Sequence, residues 1–97
     1  MPTYGWVERF LRDFHKLTQE QQGQFRVAVG QLVEDLGAGR KPRPRLRVKR
    51  VRGTSGVWEM TWAADGRATF EYGDELRPGN PHITWRRIGT HDVFTNP

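Results

Sequence analysis

The chain has 97 residues, of which 35% are hydrophobic, 28% charged and 11% aromatic. That is enough to bury one modest core and too little to hold separate cofactor and substrate domains. Cysteine is absent, which excludes a disulfide scaffold and a thiolate metal site, and the net charge is +5. No apolar run approaches the roughly 18 residues of a membrane span, and the N-terminus has no basic-then-apolar leader. These features point to one soluble, cytoplasmic domain over residues 1–97, with no membrane association.

The first third of the sequence reads as two helices. Val7, Phe10, Leu11, Phe14 and Leu17 recur at helical spacing, and Trp6 belongs either to this helix or to a short strand before it. Thr18 with Gln21 three residues later forms a capping box that starts the second helix. Phe25, Ala28, Val29, Leu32, Val33 and Leu36 then line one face, and Gly37 and Gly39 end it. Residues 40–45, with Pro42 and Pro44, form an extended connector.

The remainder reads as strands. Leu46 and Val48 alternate with Arg47 and Lys49. Trp58, Met60 and Trp62 alternate with Val57, Glu59 and Thr61, and Asp65-Gly66 gives a hairpin turn signal. Ala68, Phe70 and Tyr72 alternate with Arg67, Thr69 and Glu71. Pro78, Gly79 and Pro81 mark a longer loop, after which Ile83 and Trp85 alternate with Thr84 and Arg86. The fold class is α+β: an N-terminal helical hairpin packed on a curved, roughly four-stranded antiparallel sheet. The aromatic sheet face goes under the helices, and Trp58, Trp62, Phe70, Tyr72 and Trp85 serve there as core rather than as base-stacking platforms.

The charge is unevenly spread. Residues 40–52, RKPRPRLRVKRVR, carry eight basic side chains and no acidic one, so this segment holds the whole positive excess. Such a stripe is the footprint of a phosphate-backbone binder, and Arg43, Arg45, Arg47, Lys49, Arg50 and Arg52 are the candidate RNA contacts. A solvated surface strand, or a docking site for an acidic protein, would carry the same charges.

The sheet face away from the helices carries Glu59, Thr61, Arg67, Glu71, Thr84 and Arg86, with His91 just beyond the last strand. A carboxylate, guanidinium groups and an imidazole on one face can handle a phosphodiester. Cross-strand ion pairs such as Glu59–Arg67 would give the same pattern. RNA supplies its own nucleophile, so the chemistry asks only for a base, a charge stabiliser and an acid. Glu59, Arg67 with Arg86, and His91 fit those roles in turn. No metal or other cofactor is implied, since His15, His82 and His91 lack ligand spacing. Arg87 alternates away from Arg86, so at least one of the two has a structural role.

The order of elements and the segments KLTQEQQGQF, LRVKRVRG, GVWEMTW, GRATFEYG and HITWRRIGTHDVF resemble the RelE/ParE superfamily of bacterial toxin–antitoxin systems. The resemblance implies a helical hairpin on a curved antiparallel sheet and neutralisation by a cognate antitoxin. RelE-type members cut messenger RNA, commonly in the ribosomal A site, whereas ParE-type members inhibit DNA gyrase without a ribonuclease site. By this resemblance Arg67 takes the place of an arginine at the scissile phosphate, and His91 that of an Arg or His acting on the leaving group. Glu59 and Thr61 stand where RelE carries lysines. Arg43 stands where YoeB-like members carry a catalytic glutamate, so Glu59 is the nearest substitute. A tyrosine common near the C-terminus has no counterpart; Asp92 or Phe94 falls near its place. These departures leave two readings: a metal-independent endoribonuclease (an mRNA interferase), or a non-catalytic ParE-like or inactive homologue that acts by binding a partner.

Overall fold

The computed structural model describes residues 3–77, 80–95 and 97. Strand β1 (Thr3–Trp6) leads into helix α1 (Glu8–His15) and helix α2 (Gln19–Gly37). A 3-10 turn (Pro44–Leu46) follows, then strands β2 (Lys49–Arg50), β3 (Val57–Ala63), β4 (Gly66–Arg77) and β5 (Asn80–Gly89), and a closing 3-10 turn (His91–Thr95). The strands form one sheet in the order β1-β5-β4-β3-β2.

Local chemistry sets most of these boundaries. The Thr18 hydroxyl accepts from the Gln21 backbone N–H at 3.1 Å, and the Gln21 side chain accepts from the Thr18 N–H at 2.9 Å. This closes the capping box and satisfies two of the donors a helix start leaves open. From there Phe25, Ala28, Val29 and Leu32 turn inward on successive turns of α2. Pro44 opens the 3-10 turn, which places Leu46 in the core and Arg47 in the left-handed region at φ 48°.

The sheet presents Met60, Trp62, Ala68, Phe70, Ile83, Trp85 and Ile88 to the helices, and all seven are buried. Among the described residues Trp85 is the largest fully buried side chain, 1% exposed, with Phe25 and Phe70 each 5.1 Å away between centroids and Phe10 at 6.1 Å. Trp58 is half-buried at the margin of this cluster. Tyr72, expected on the core side, is exposed: it lies edge-on to Trp58 and Phe70 at the border of the aromatic face rather than beneath a helix.

Three other expectations are corrected. The sheet has five strands and is mixed, because β1 pairs in parallel with β5, from Thr3↔His82 to Trp6↔Trp85. Four residues are too few for an alternating pattern to stand out. The strand expected from Leu46 shrinks to Lys49–Arg50, since Pro44 commits the preceding residues to a 3-10 turn. The β3–β4 turn uses Ala64 and Asp65, while Gly66 already belongs to β4. The Trp62 indole lies flat on Gly66, where an added Cβ would sit 2.6 Å from the ring. Of the expected Pro78–Gly79–Pro81 loop, Pro78 and Gly79 lie outside the described residues, and Pro81 is part of β5.

Trp85 holds both helices to the sheet. Trp85→Ala should lower the unfolding free energy by about 3–5 kcal/mol, read as a reduced urea midpoint with an unchanged slope.

Candidate functional site

The helices occupy one face of the sheet, so the polar groups of β3, β4 and β5 collect on the other. β4 runs between β3 and β5. Glu59 on β3 pairs with Thr69 on β4, and Thr61 pairs with Arg67. On its other side Arg67 pairs with Gly89 of β5, two residues before His91. Arg67 therefore lies between the strand of Glu59 and the strand that delivers His91. Glu59 and Arg67 are diagonal neighbours, a relation that spans about 7–8 Å.

The side chains refine this picture. Glu59 is 9% exposed, and its nearest cation is Lys49 Nζ at 3.9 Å, so the Glu59–Arg67 pair weighed from sequence does not form. Arg67 folds back on the β3–β4 turn. Its Nη1 donates to the carbonyls of Gly66 at 2.9 Å, Ala63 at 3.3 Å and Ala64 at 3.4 Å. Its Nε and Nη2 have no partner among the described residues. His91 is exposed and stands edge-on to the Phe94 ring, with centroids 4.9 Å apart. Arg86 differs from the sequence expectation of an available charge stabiliser. Its guanidinium is paired with Glu71, and its Nε donates to the Pro97 carbonyl at 3.1 Å, where the Thr69 hydroxyl also donates at 3.3 Å.

Adjacent arginines are sorted by an irregularity in the ladder. The β4–β5 register shifts between Thr69↔Arg87 and Phe70↔Trp85, so Arg86 is the extra residue of a bulge. Arg87 reaches Asp13 of α1 at 2.6 Å, and the same carboxylate accepts the Ile88 N–H at 3.2 Å. Asp13 thus pins the bulge from the helix side. The sequence marks it only as an acid between the apolar positions Phe10 and Phe14, facing a strand 74 residues away.

The basic segment divides in two. Arg43, expected to face RNA, turns inward onto Asp35. The Asp35 carboxylate is 3% exposed and accepts from Arg43 Nε at 2.9 Å, Nη2 at 3.0 Å and backbone N–H at 2.8 Å, and from Arg40 Nη2 at 3.2 Å. A carboxylate this buried needs such partners to stay charged. Arg45, Arg47, Lys49, Arg50 and Arg52 remain exposed along the β2 edge, next to the strand of Glu59. A sequence signal for Asp35 existed: it falls three residues after Leu32 and seven after Ala28, on the buried stripe of α2. Among the described residues, no helix is long and apolar enough to cross a membrane, and no three His, Cys, Asp or Glu side chains come together as metal ligands.

No family model and no curated protein sequence matches this chain. Solved structures do. The E. coli DinJ–YafQ toxin–antitoxin complex matches with a TM-score of 0.69 at 14% identity, covering 95% of this chain and 94% of that one. The intact E. coli RelBE toxin–antitoxin complex matches at 0.65 and 16%, covering 93% and 96%. A YoeB/ParE toxin from Agrobacterium tumefaciens matches at 0.62 and 12%, covering 92% and 98%. The chain has the fold of the RelE-like toxins, and at these identities the likeness is one of fold.

The Asp35 clamp carries a pH dependence. Hydrogen bonds from the Arg43 side chain hold the Asp35 carboxyl far below its usual 3.8, against the opposing effect of burial. The folded state thus takes up this proton at lower pH than the unfolded chain. The clamp stabilises the fold at neutral pH, and its contribution drains away as pH falls below about 4. Asp35→Asn should be markedly less stable than the parent at pH 7, and the gap should narrow towards about pH 2.5. Urea midpoints of both proteins across that range measure it.

Proposed function

We propose that this protein is the toxin of a toxin–antitoxin pair and cleaves messenger RNA by metal-independent acid–base chemistry. The observation that carries the reading is the register around Arg67, with Glu59 one strand away on one side and the His91 strand on the other. The solved proteins that share the fold include toxins bound to antitoxins, which supports an antitoxin as the neutralising partner.

In the proposed reaction Glu59 takes the proton of the ribose 2′-hydroxyl. The freed oxygen forms a bond to the adjacent phosphorus while the bond from phosphorus to the 5′-oxygen of the next nucleotide breaks. Arg67, through Nε and Nη2, stabilises the charge that builds on the phosphate oxygens. His91 protonates the departing 5′-oxygen. The products are a 2′,3′-cyclic phosphate and a free 5′-hydroxyl. Arg86 is left out of these roles, because Glu71 already neutralises it. The exposed cations of the β2 edge would track the RNA backbone beside Glu59, and a ribosome-bound message is the substrate the resemblance suggests.

A second reading has its own support. Lys49 lies beside Glu59 and Arg86 is spent on Glu71, an arrangement that also suits a protein acting by binding alone. Arg67→Ala should cut RNA cleavage at least about 100-fold, and His91→Ala should cut it about 100- to 10,000-fold. Both variants should keep the parent's thermal midpoint within a few degrees. Folded variants that cleave RNA and arrest growth like the parent would leave the binding-only reading in its place.

Contact with the RNA backbone has a separate readout. Replacing Arg47, Lys49 and Arg50 together by Gln should weaken single-stranded RNA binding. It should also flatten the plot of log affinity against log salt by about 2, the counterion release of three phosphate contacts.

A further inference from the structure

A cavity of about 330 Å³ opens between the middle of α2 and the end of β3. Its polar lining comes from Gln24, Gln31, Arg45 and Thr61, and its floor from Ala28 and Trp62. The volume falls in the range of small-ligand sites. The amides of Gln24 and Gln31 make no side-chain hydrogen bond among the described residues, so both remain open to a ligand. The Trp62 ring is held in place by Gly66, which it covers. Its indole N–H is buried without an acceptor among the described residues, and a buried donor left unpaired is costly.

The position of this cavity ties it to the proposed cleavage centre. Ala63 and Ala64 line it, and their carbonyls accept from Arg67 Nη1. Thr61, another lining residue, is the cross-strand partner of Arg67. The turn carbonyls thus join the cavity lining directly to the Arg67 guanidinium. Arg45, exposed at the rim, offers an RNA strand a further cation.

We propose that the cavity is a subsite for one unpaired nucleobase flanking the scissile phosphate, and that it sets the base preference of the protein. The inference rests on the ribonuclease reading for the location of that phosphate. Carboxamides suit a base edge because each offers a donor and an acceptor side by side, the arrangement by which Gln reads adenine. Single-stranded bases are recognised along such edges once splayed from the stack. A flat aromatic floor matches a flat ligand.

Binding of short 2′-O-methyl RNA tests this, since such RNA cannot be cleaved and the readout is independent of catalysis. Affinities would be measured for oligonucleotides carrying each of the four bases, or an abasic sugar, at each position in turn. The parent should prefer one base at one position by about tenfold or more over the abasic form, the effect of one good amide–base contact. Gln24→Ala with Gln31→Ala should bind every oligonucleotide as the parent binds the abasic one, and Thr61→Val should narrow the preference. Equal affinity of the parent for intact and abasic RNA would overturn the proposal, as would a preference that survives the double substitution. A base preference lost with the two glutamines, in a protein that cleaves no RNA, would uphold the subsite while removing the nuclease.

Discussion

The packing of Trp85 is the constraint on which the rest of the molecule depends. Rings from α1, α2 and β4 close around it, so one indole joins both helices to the centre of the sheet. Because strand side chains alternate, committing that face to apolar contact commits the other to different uses. The opposite face receives no helix. It is partly covered by the closing turn, through buried Val93 and the Pro97 carbonyl that Thr69 and Arg86 share. What remains between Glu59, Arg67 and His91 is a polar surface on a rigid support.

Charge is handled with the same division of labour. The basic segment follows α2 directly, and its first members are used up on that helix: Arg43 and Arg40 converge on a single buried carboxylate. This anchors the connector and fixes where the chain emerges. The remaining cations then line up on the sheet edge nearest Glu59. A run that looks uniform in sequence is thus part structural anchor and part exposed surface. Arg86 and Arg87 repeat the lesson at shorter range, one serving the outer face and the next a helix.

Patterns of short period were legible in the sequence. The capping box at Thr18, the apolar stripe of α2 and the alternation through Trp58, Met60 and Trp62 each declare themselves within a few residues, and the structure follows them. The placement of Arg67 beside the strands of Glu59 and His91 also followed, because consecutive hairpins make neighbours of consecutive strands. What stayed hidden depends on partners distant in sequence. The parallel β1–β5 pairing and the Asp13 clamp on the bulge cannot be read from local periodicity. Each joins residues whose own neighbours give no hint of the other. The cavity beside Thr61 is of the same kind, since it exists only once α2 lies across β3.

The pairing of β1 with β5 has a consequence for how the molecule comes into being. Its partners, Thr3 with His82 and Trp6 with Trp85, are almost the full chain apart, and contacts of such separation form late because the intervening loop must close first. During synthesis at about 5–20 residues per second, β1 waits several seconds for its partner strand. Tyr4 and Trp6 are exposed even in the finished fold, so during that interval they form part of an unpaired aromatic edge. The helical hairpin and the β3–β4 hairpin can form meanwhile from local contacts. The arrival of β5 is therefore the step that completes the sheet, seats Trp85 and lays the strand that leads to His91 alongside Arg67, so the proposed cleavage centre and the closed fold appear together.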